Sequence, residues 1–323
     1  MILLSRRDVE QCLDVRQGIE AMRFAFEALG RGLVQMPPRA VTPVGEAAHL
    51  SMPCYIGGPD PVLCMKVVTF FPLNPSRGMP TTQAVILLND PSTGKPIAMM
   101  DAEYMTLVRT GAVSALATEF LAHESARTLG VFGTGEVGFY QVAAVKEVRV
   151  IDNVFVNSLD PAQGSAFCER VESELGVPAL FVSDPSTLVE QSDIICLATS
   201  SKNPVLHGAD VRPGTHVNGV GSFRPDMAET DVEFVSSSGV FVDQISAAQV
   251  GAGEILAAVD AGAFSWVDAV ELQRLVLGEC EGRKGDEVTF FKSVGLAVQD
   301  AAVARIVFNH AVENGLGTEF DLG

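Results

Sequence analysis

Apolar and polar positions fall into two textures along this chain. Residues 9–30 carry apolar side chains at helical spacing and end at a glycine, which predicts an amphipathic helix. From residue 36 to 88 the spacing changes. Short β-rich runs at 48–52, 62–69 and 84–88 alternate with Pro/Gly turns, 90–96 is a hairpin-type turn, and 97–100 is the returning strand. An antiparallel or mixed sheet beside one long helix is expected there. Residues 102–122, rich in Ala, Thr and Leu, predict a second helix. Apolar runs at 128–132, 153–157, 179–182, 194–197, 216–220 and 240–242 then alternate with helical stretches, the pattern of a doubly wound parallel sheet. Residues 290–315 predict one last long helix that returns to the first domain. The expected architecture is therefore α/β. A Rossmann-like parallel sheet occupies 121–299, and a second α+β domain is made of 1–120 joined by the C-terminal helix 300–323. The chain has 323 residues, enough for two such domains.

The run 129–138 reads as a buried strand, a glycine turn and the start of a helix, with full G-x-G-x-x-G spacing. Gly133 makes the tight turn. Gly135 lacks a Cβ, so a pyrophosphate can approach the backbone, and Gly138 lets the helix pack close to the strand. Thr134, Glu136 and Val137 complete the loop and first helical turn, whose free N–H groups would face the phosphates. At the end of the next strand stand Asn157 and Ser158, where a carboxylate would meet the ribose hydroxyls and an arginine would favour a 2′-phosphate. Ser158-Leu159 satisfies neither rule. The missing arginine favours NAD, with NADP the alternative, and Asp160 is a substitute carboxylate. Thr199 and Ser200 follow one later strand, and Val220 and Gly221 end another, so all four belong to the carboxyl edge of the sheet where a cofactor lies. The polar loop after them leads to Asp226, a candidate catalytic residue whose other reading is a helix N-cap.

The chain is 47% hydrophobic and 19% charged, with a formal net charge of −18. That charge argues against nucleic acid and anionic membrane as partners. No apolar run approaches the roughly 20 residues of a membrane span, and the first residues lack the long apolar region of a signal peptide. Six scattered cysteines without C-x-x-C spacing read as reduced core thiols of a cytoplasmic protein, and five dispersed histidines give no metal site. Against this acidic background three cations of the first domain stand out. Arg39 follows two prolines, Lys66 sits inside an apolar strand, and Arg109 lies among small apolar residues. Their bland readings are an edge-strand lysine facing solvent, and a surface arginine or an internal ion pair. Together they suit a carboxylate: arginine grips it in a bidentate fork, and a desolvated lysine serves as acid or hydrogen-bond donor to a reacting nitrogen.

These pieces, in this order, resemble the ornithine cyclodeaminase/mu-crystallin family. The matching segments are MPPR (36–39), the Lys66 strand, GMPT (78–81), RTGAVSALAT (109–118), LGVFGTGEVG (129–138), PGTHVNGVGSFRPDMAE (213–229) and KSVGLAVQDAAVA (292–304). The resemblance implies a homodimer, a Rossmann-like central domain, and a first domain that, with the last helix, binds substrate and dimerises. It implies substrate contacts at Arg39, Lys66 and Arg109. It implies cofactor contacts at Thr81, the glycine loop and Ser293, with Arg109 counted there as well. True ornithine cyclodeaminases of the family resemble one another in a glutamate where this chain has Leu50, and in an aspartate where it has Phe223. Both departures favour an NAD(P)H-dependent reductase of a small α-imino acid, giving an L-amino acid. The alternatives are an ammonia-eliminating cyclisation of a diamino acid with internally recycled NAD, and a non-catalytic dinucleotide-binding dimer.

Overall fold

The computed structural model describes residues 1–322, apart from the side chain of Pro75. The chain forms two units: Met1–Arg109 with the segment from Leu296 onward, and Thr110–Gly295. The division falls inside the helix Glu103–Leu121, earlier than the boundary at 120 expected from sequence.

In the first unit the strands Thr318–Glu319, Ile2–Leu4, Pro96–Asp101, Thr82–Asn89, Val62–Phe70, Ala47–Ile56 and Val34–Gln35 lie side by side, and Ala40–Val44 also pairs with Ala47–Ile56. Every pairing is antiparallel except that of Ile2–Leu4 with Pro96–Asp101. Alternation sorts the strand side chains. Met52, Cys54, Cys64, Lys66, Ile86, Leu88, Ala98 and Met100 are buried. Helix Ala297–Asn314 packs on Val15–Gly30 and on the strands Ala47–Ile56 and Val62–Phe70. The helical run expected over 9–30 is in fact two helices, Arg6–Cys12 and Val15–Gly30. Asp14 ends the first by starting the second: its side chain accepts from Gln17 N while Gln17 answers to the Asp14 backbone, a capping box that interrupts the periodicity.

The second unit carries a sheet in the order Ala179–Phe181, Asn153–Asn157, Thr128–Phe132, Ile194–Leu197, His216–Gly219, Thr289–Lys292, Gly239–Val242, Val270–Glu271, and all its pairings are parallel. This is the doubly wound, Rossmann-like sheet read from the sequence. After Thr128–Phe132 the chain adds two strands on one side, then crosses to Ile194–Leu197 on the other. That reversal makes a topological switch point, where open parallel sheets bind ligands outside their carboxyl ends.

The expected helix over 290–315 is corrected here. Thr289–Lys292 is a buried strand between His216–Gly219 and Gly239–Val242, and the helix begins only at Ala297. Four residues are too few to show a period of their own, and beside an apolar helix they blend into it. Gly295, at φ +80°, breaks the run. The short edge strand Val270–Glu271 was not foreseen either.

Candidate active site

Lys66 is 2% exposed, and its strand is hydrogen-bonded on both sides, which removes the edge-strand reading. Its cross-strand neighbours are Met52 and Ile86, so the strands give the ammonium no polar company. The helices do. Lys66 Nζ donates to Asp300 Oδ1 at 2.9 Å and to Thr106 Oγ1 at 2.7 Å. Burial lowers the Lys66 pKa, the Asp300 carboxylate opposes that shift, and the Arg109 charge adds to it. Arg109 is buried on the same cluster: Nη1 donates to Gln299 Oε1 at 3.1 Å, and Nε stands 3.4 Å from Asp300 Oδ1. Arg109 Nε, Gln299 Nε2 and Asp300 Oδ2 are buried without a hydrogen-bond partner. Native interiors rarely leave such atoms unmatched, and here three meet at one place.

Arg39 is half-buried, one residue before the strand Ala40–Val44. Ala40 registers opposite Ser51, next to Met52, the residue opposite Lys66, so Arg39 stands level with Lys66 two strands away. Thr81 is half-buried, and its carbonyl accepts from Phe71 N at 2.8 Å. Leu50 lies on the strand between Val41 and Val68.

In the second unit the three glycines meet three different constraints. Gly133 has φ +100°, and a Cβ there would stand 2.6 Å from the Ala198 carbonyl oxygen. A Cβ on Gly138 would stand 2.2 Å from Gly133 O. At Gly135, the N-cap of helix Glu136–Val148, a Cβ would meet nothing within 4 Å. Open space over a helix N-terminus, between strands at a switch point, leaves room and positive dipole charge that suit a phosphate. Gly133 N donates to Asn157 O at 3.2 Å, and the hydroxyls of Thr134 and Ser158 are 3.3 Å apart, so the glycine loop is tied to the end of the next strand. Val137 is half-buried; Glu136 faces away, with both carboxylate oxygens accepting from Arg170. Asp160 caps helix Pro161–Arg170 by accepting from Ala162 N.

The carboxyl edge is organised by a residue the sequence did not single out. Buried Glu229 accepts from Thr199 N, Thr199 Oγ1, Gly221 N and Ser222 N at 2.7–3.0 Å, pinning together the ends of the strands Ile194–Leu197 and His216–Gly219. Burial pushes its carboxyl up, and the charge of Lys292 pulls it down. Lys292 itself pairs with Glu254 at 2.9 Å and donates to Ser222 Oγ, all three fully buried or nearly so. Ser293 Oγ donates to Asp243 Oδ2, which also accepts from Val294 N and Gly295 N. Val220 is buried and Ser200 exposed. Asp226 lies on the surface, where both oxygens accept from Arg224 and Lys202 adds a second cation; these bonds hold its pKa below the usual carboxylate value. No helix starts at 227, so Asp226 is not an N-cap; Asp231 caps the next helix, Val232–Ser237. Asp300, Gln299 and Thr106 were not foreseen. The first two stand in the KSVGLAVQD motif, whose Gln-Asp step was the available signal.

The profile of the ornithine cyclodeaminase/mu-crystallin family matches residues 1–315. A Delta(1)-pyrroline-2-carboxylate reductase of Bacillus cereus is 32% identical over 327 residues, covering 99% of this chain and 100% of its own. The Thermococcus litoralis Delta(1)-pyrroline-2-carboxylate reductase, solved with NADH and L-proline, aligns with a TM-score of 0.96 at 36% identity, covering 99% of this chain and 100% of that one. An archaeal alanine dehydrogenase dimer with bound NAD aligns with a TM-score of 0.95 at 31% identity, covering 100% and 99%.

Proposed function

The chain belongs to the ornithine cyclodeaminase/mu-crystallin family, and from that premise we propose that it is an NAD-dependent reductase of a small α-imino acid, giving an L-amino acid. The observation that carries this reading is the buried cluster with unmatched atoms. Arg109 Nε and Gln299 Nε2 are donors, suited to a carboxylate; Asp300 Oδ2 is an acceptor, suited to an N–H. An acyclic α-imino acid offers both groups on adjacent carbons, and a cyclic one gains its N–H when the nitrogen takes a proton. Arg39 and Arg109 hold the carboxylate, and Lys66 donates to the imine nitrogen, which makes the imine carbon more electrophilic.

The glycine loop, by its open space at a helix N-terminus, and Asn157, Ser158, Thr199, Gly221 and Ser293, by their place at strand ends, fit a dinucleotide. When bound, the dihydronicotinamide supplies the hydride. Asp160 beside Ser158, and no arginine among residues 158–160, disfavour a 2′-phosphate, so NADH is the reductant. The relatives' bound NAD and NADH support the same choice. The protein acts as a homodimer. The sheet face of the first unit opposite Lys66 carries Val85 and Met99 exposed, an apolar surface in a strongly acidic chain, and the archaeal relative is a dimer.

The test is a panel of keto acids with ammonia or methylamine, plus cyclic ketimines, each with NADH and with NADPH. NADH absorbance falls with the right imine. It stays level with a diamino acid that releases ammonia if the enzyme is instead a cyclodeaminase. Lys66→Met leaves NADH affinity nearly unchanged and lowers kcat by roughly 10²–10⁴-fold; retained activity would remove Lys66 from the chemistry.

A further inference from the structure

We propose that Asp300 and Thr106 are positioning residues for Lys66: they take two of its three ammonium N–H bonds and leave the third as the one proton it exchanges with the nitrogen of a bound imine. The argument rests on the imine-reductase reading above and begins with the direction of each hydrogen bond. Thr106 Oγ1 donates its only hydrogen to the Ala102 carbonyl at 2.6 Å. Toward Lys66, 2.7 Å away, that oxygen is therefore an acceptor. Asp300 Oδ1 accepts a second N–H at 2.9 Å. No other hydrogen bond to Lys66 Nζ occurs among the described residues, so one N–H remains.

The consequence is geometric. An amine that has lost the third proton still has two N–H bonds, and the same two acceptors hold it. The nitrogen stays in place in both protonation states, and its new lone pair points where the departing proton went. During reduction the imine carbon gains the hydride, the electrons of the C=N bond take the Lys66 proton, and the product is a neutral amine. Neutral Lys66 then recovers a proton from water. The charged and titratable groups facing Lys66 are Asp300 from helix Ala297–Asn314, Arg109 from helix Glu103–Leu121 and Cys64 from its own strand, with Cys54 beside Asp300 on the neighbouring strand. Asp300 is the only one of these that favours the ammonium by a direct hydrogen bond. Removing its charge lowers the Lys66 pKa further below the ordinary 10.5. Because reduction uses the ammonium, activity is lost as pH rises through the Lys66 pKa.

The experiment uses the full chain with NADH and Delta(1)-pyrroline-2-carboxylate, measuring kcat and KM against pH for wild type, D300N, T106V and T106S. The basic limb of the D300N kcat profile is expected to move down by about one pH unit or more. T106V is expected to lower kcat by about 10-fold or more with little change in KM, and T106S to restore it to within about threefold. A second readout needs no turnover. The chain has six lysines, so the ¹³Cε spectrum of labelled protein is simple, and the Lys66 signal is the one missing in K66M. Its titration midpoint moves down in folded D300N. A basic limb and a midpoint that both stay fixed in D300N, or a T106V enzyme with wild-type kcat, overturn the proposal. If wild type reduces no imine at all, the functional reading falls, and the NMR midpoint alone decides whether Asp300 sets the Lys66 proton.

Discussion

Substitutions at single residues separate roles that the G-x-G-x-x-G spacing runs together. Gly135→Ala places its methyl in open space, so folding stability stays within about 0.5 kcal/mol while NADH Kd rises by about tenfold, because the methyl occupies the approach of the phosphates. Gly138→Ala drives a methyl into the Gly133 carbonyl and costs about 1–3 kcal/mol of stability, read by urea unfolding. If Gly135→Ala leaves dinucleotide affinity unchanged, the phosphates do not pass over that residue. Lys66 and Arg109 were legible in the sequence because a cation in an apolar run demands a partner. Asp300 was not. It stands 234 residues from Lys66, and on its own helix it reads as one more polar position. Only the fold reveals that both cations close on the same carboxylate.

Among elements, the ends of two parallel strands depend on Glu229. Its carboxylate satisfies three backbone N–H groups and one hydroxyl in a buried place; Gly221 N also reaches the Leu197 carbonyl, so Glu229→Ala leaves the other donors unmatched and costs about 2–4 kcal/mol. Thermal unfolding measures the loss, and an unchanged melting temperature would mean that water replaces the carboxylate without cost. Helix Glu103–Leu121 shows why its sequence is so rich in small residues. Residues 108–118 are buried throughout, and a Cβ at Gly111 would stand 2.2 Å from Tyr140 O. Such a helix has no polar face for periodicity to detect, yet its length and composition made it readable. The strands 128–132, 153–157 and 194–197 were legible to the residue because turns bound them cleanly. Strand Thr289–Lys292 was not, because an apolar segment beside an apolar helix offers no contrast, and its parallel partners come from distant parts of the chain.

At the scale of the whole molecule, light scattering on the purified protein is expected to give the mass of two chains. Placing glutamates at Val85 and Met99 on the open sheet face sets like charges against each other across that interface and yields monomers. A double variant that keeps the wild-type mass would move the interface elsewhere. The division of the chain carries one more consequence. The second unit is a single continuous stretch, while the first is assembled from segments on either side of it. On the ribosome, the dinucleotide fold emerges whole and is free to mature while the earlier sheet waits for its closing helix. Throughout that interval Lys66 has no carboxylate beside it. A chain truncated after Gly295 should therefore hold cofactor without being competent for turnover, because the helix that brings Asp300 to Lys66 is missing.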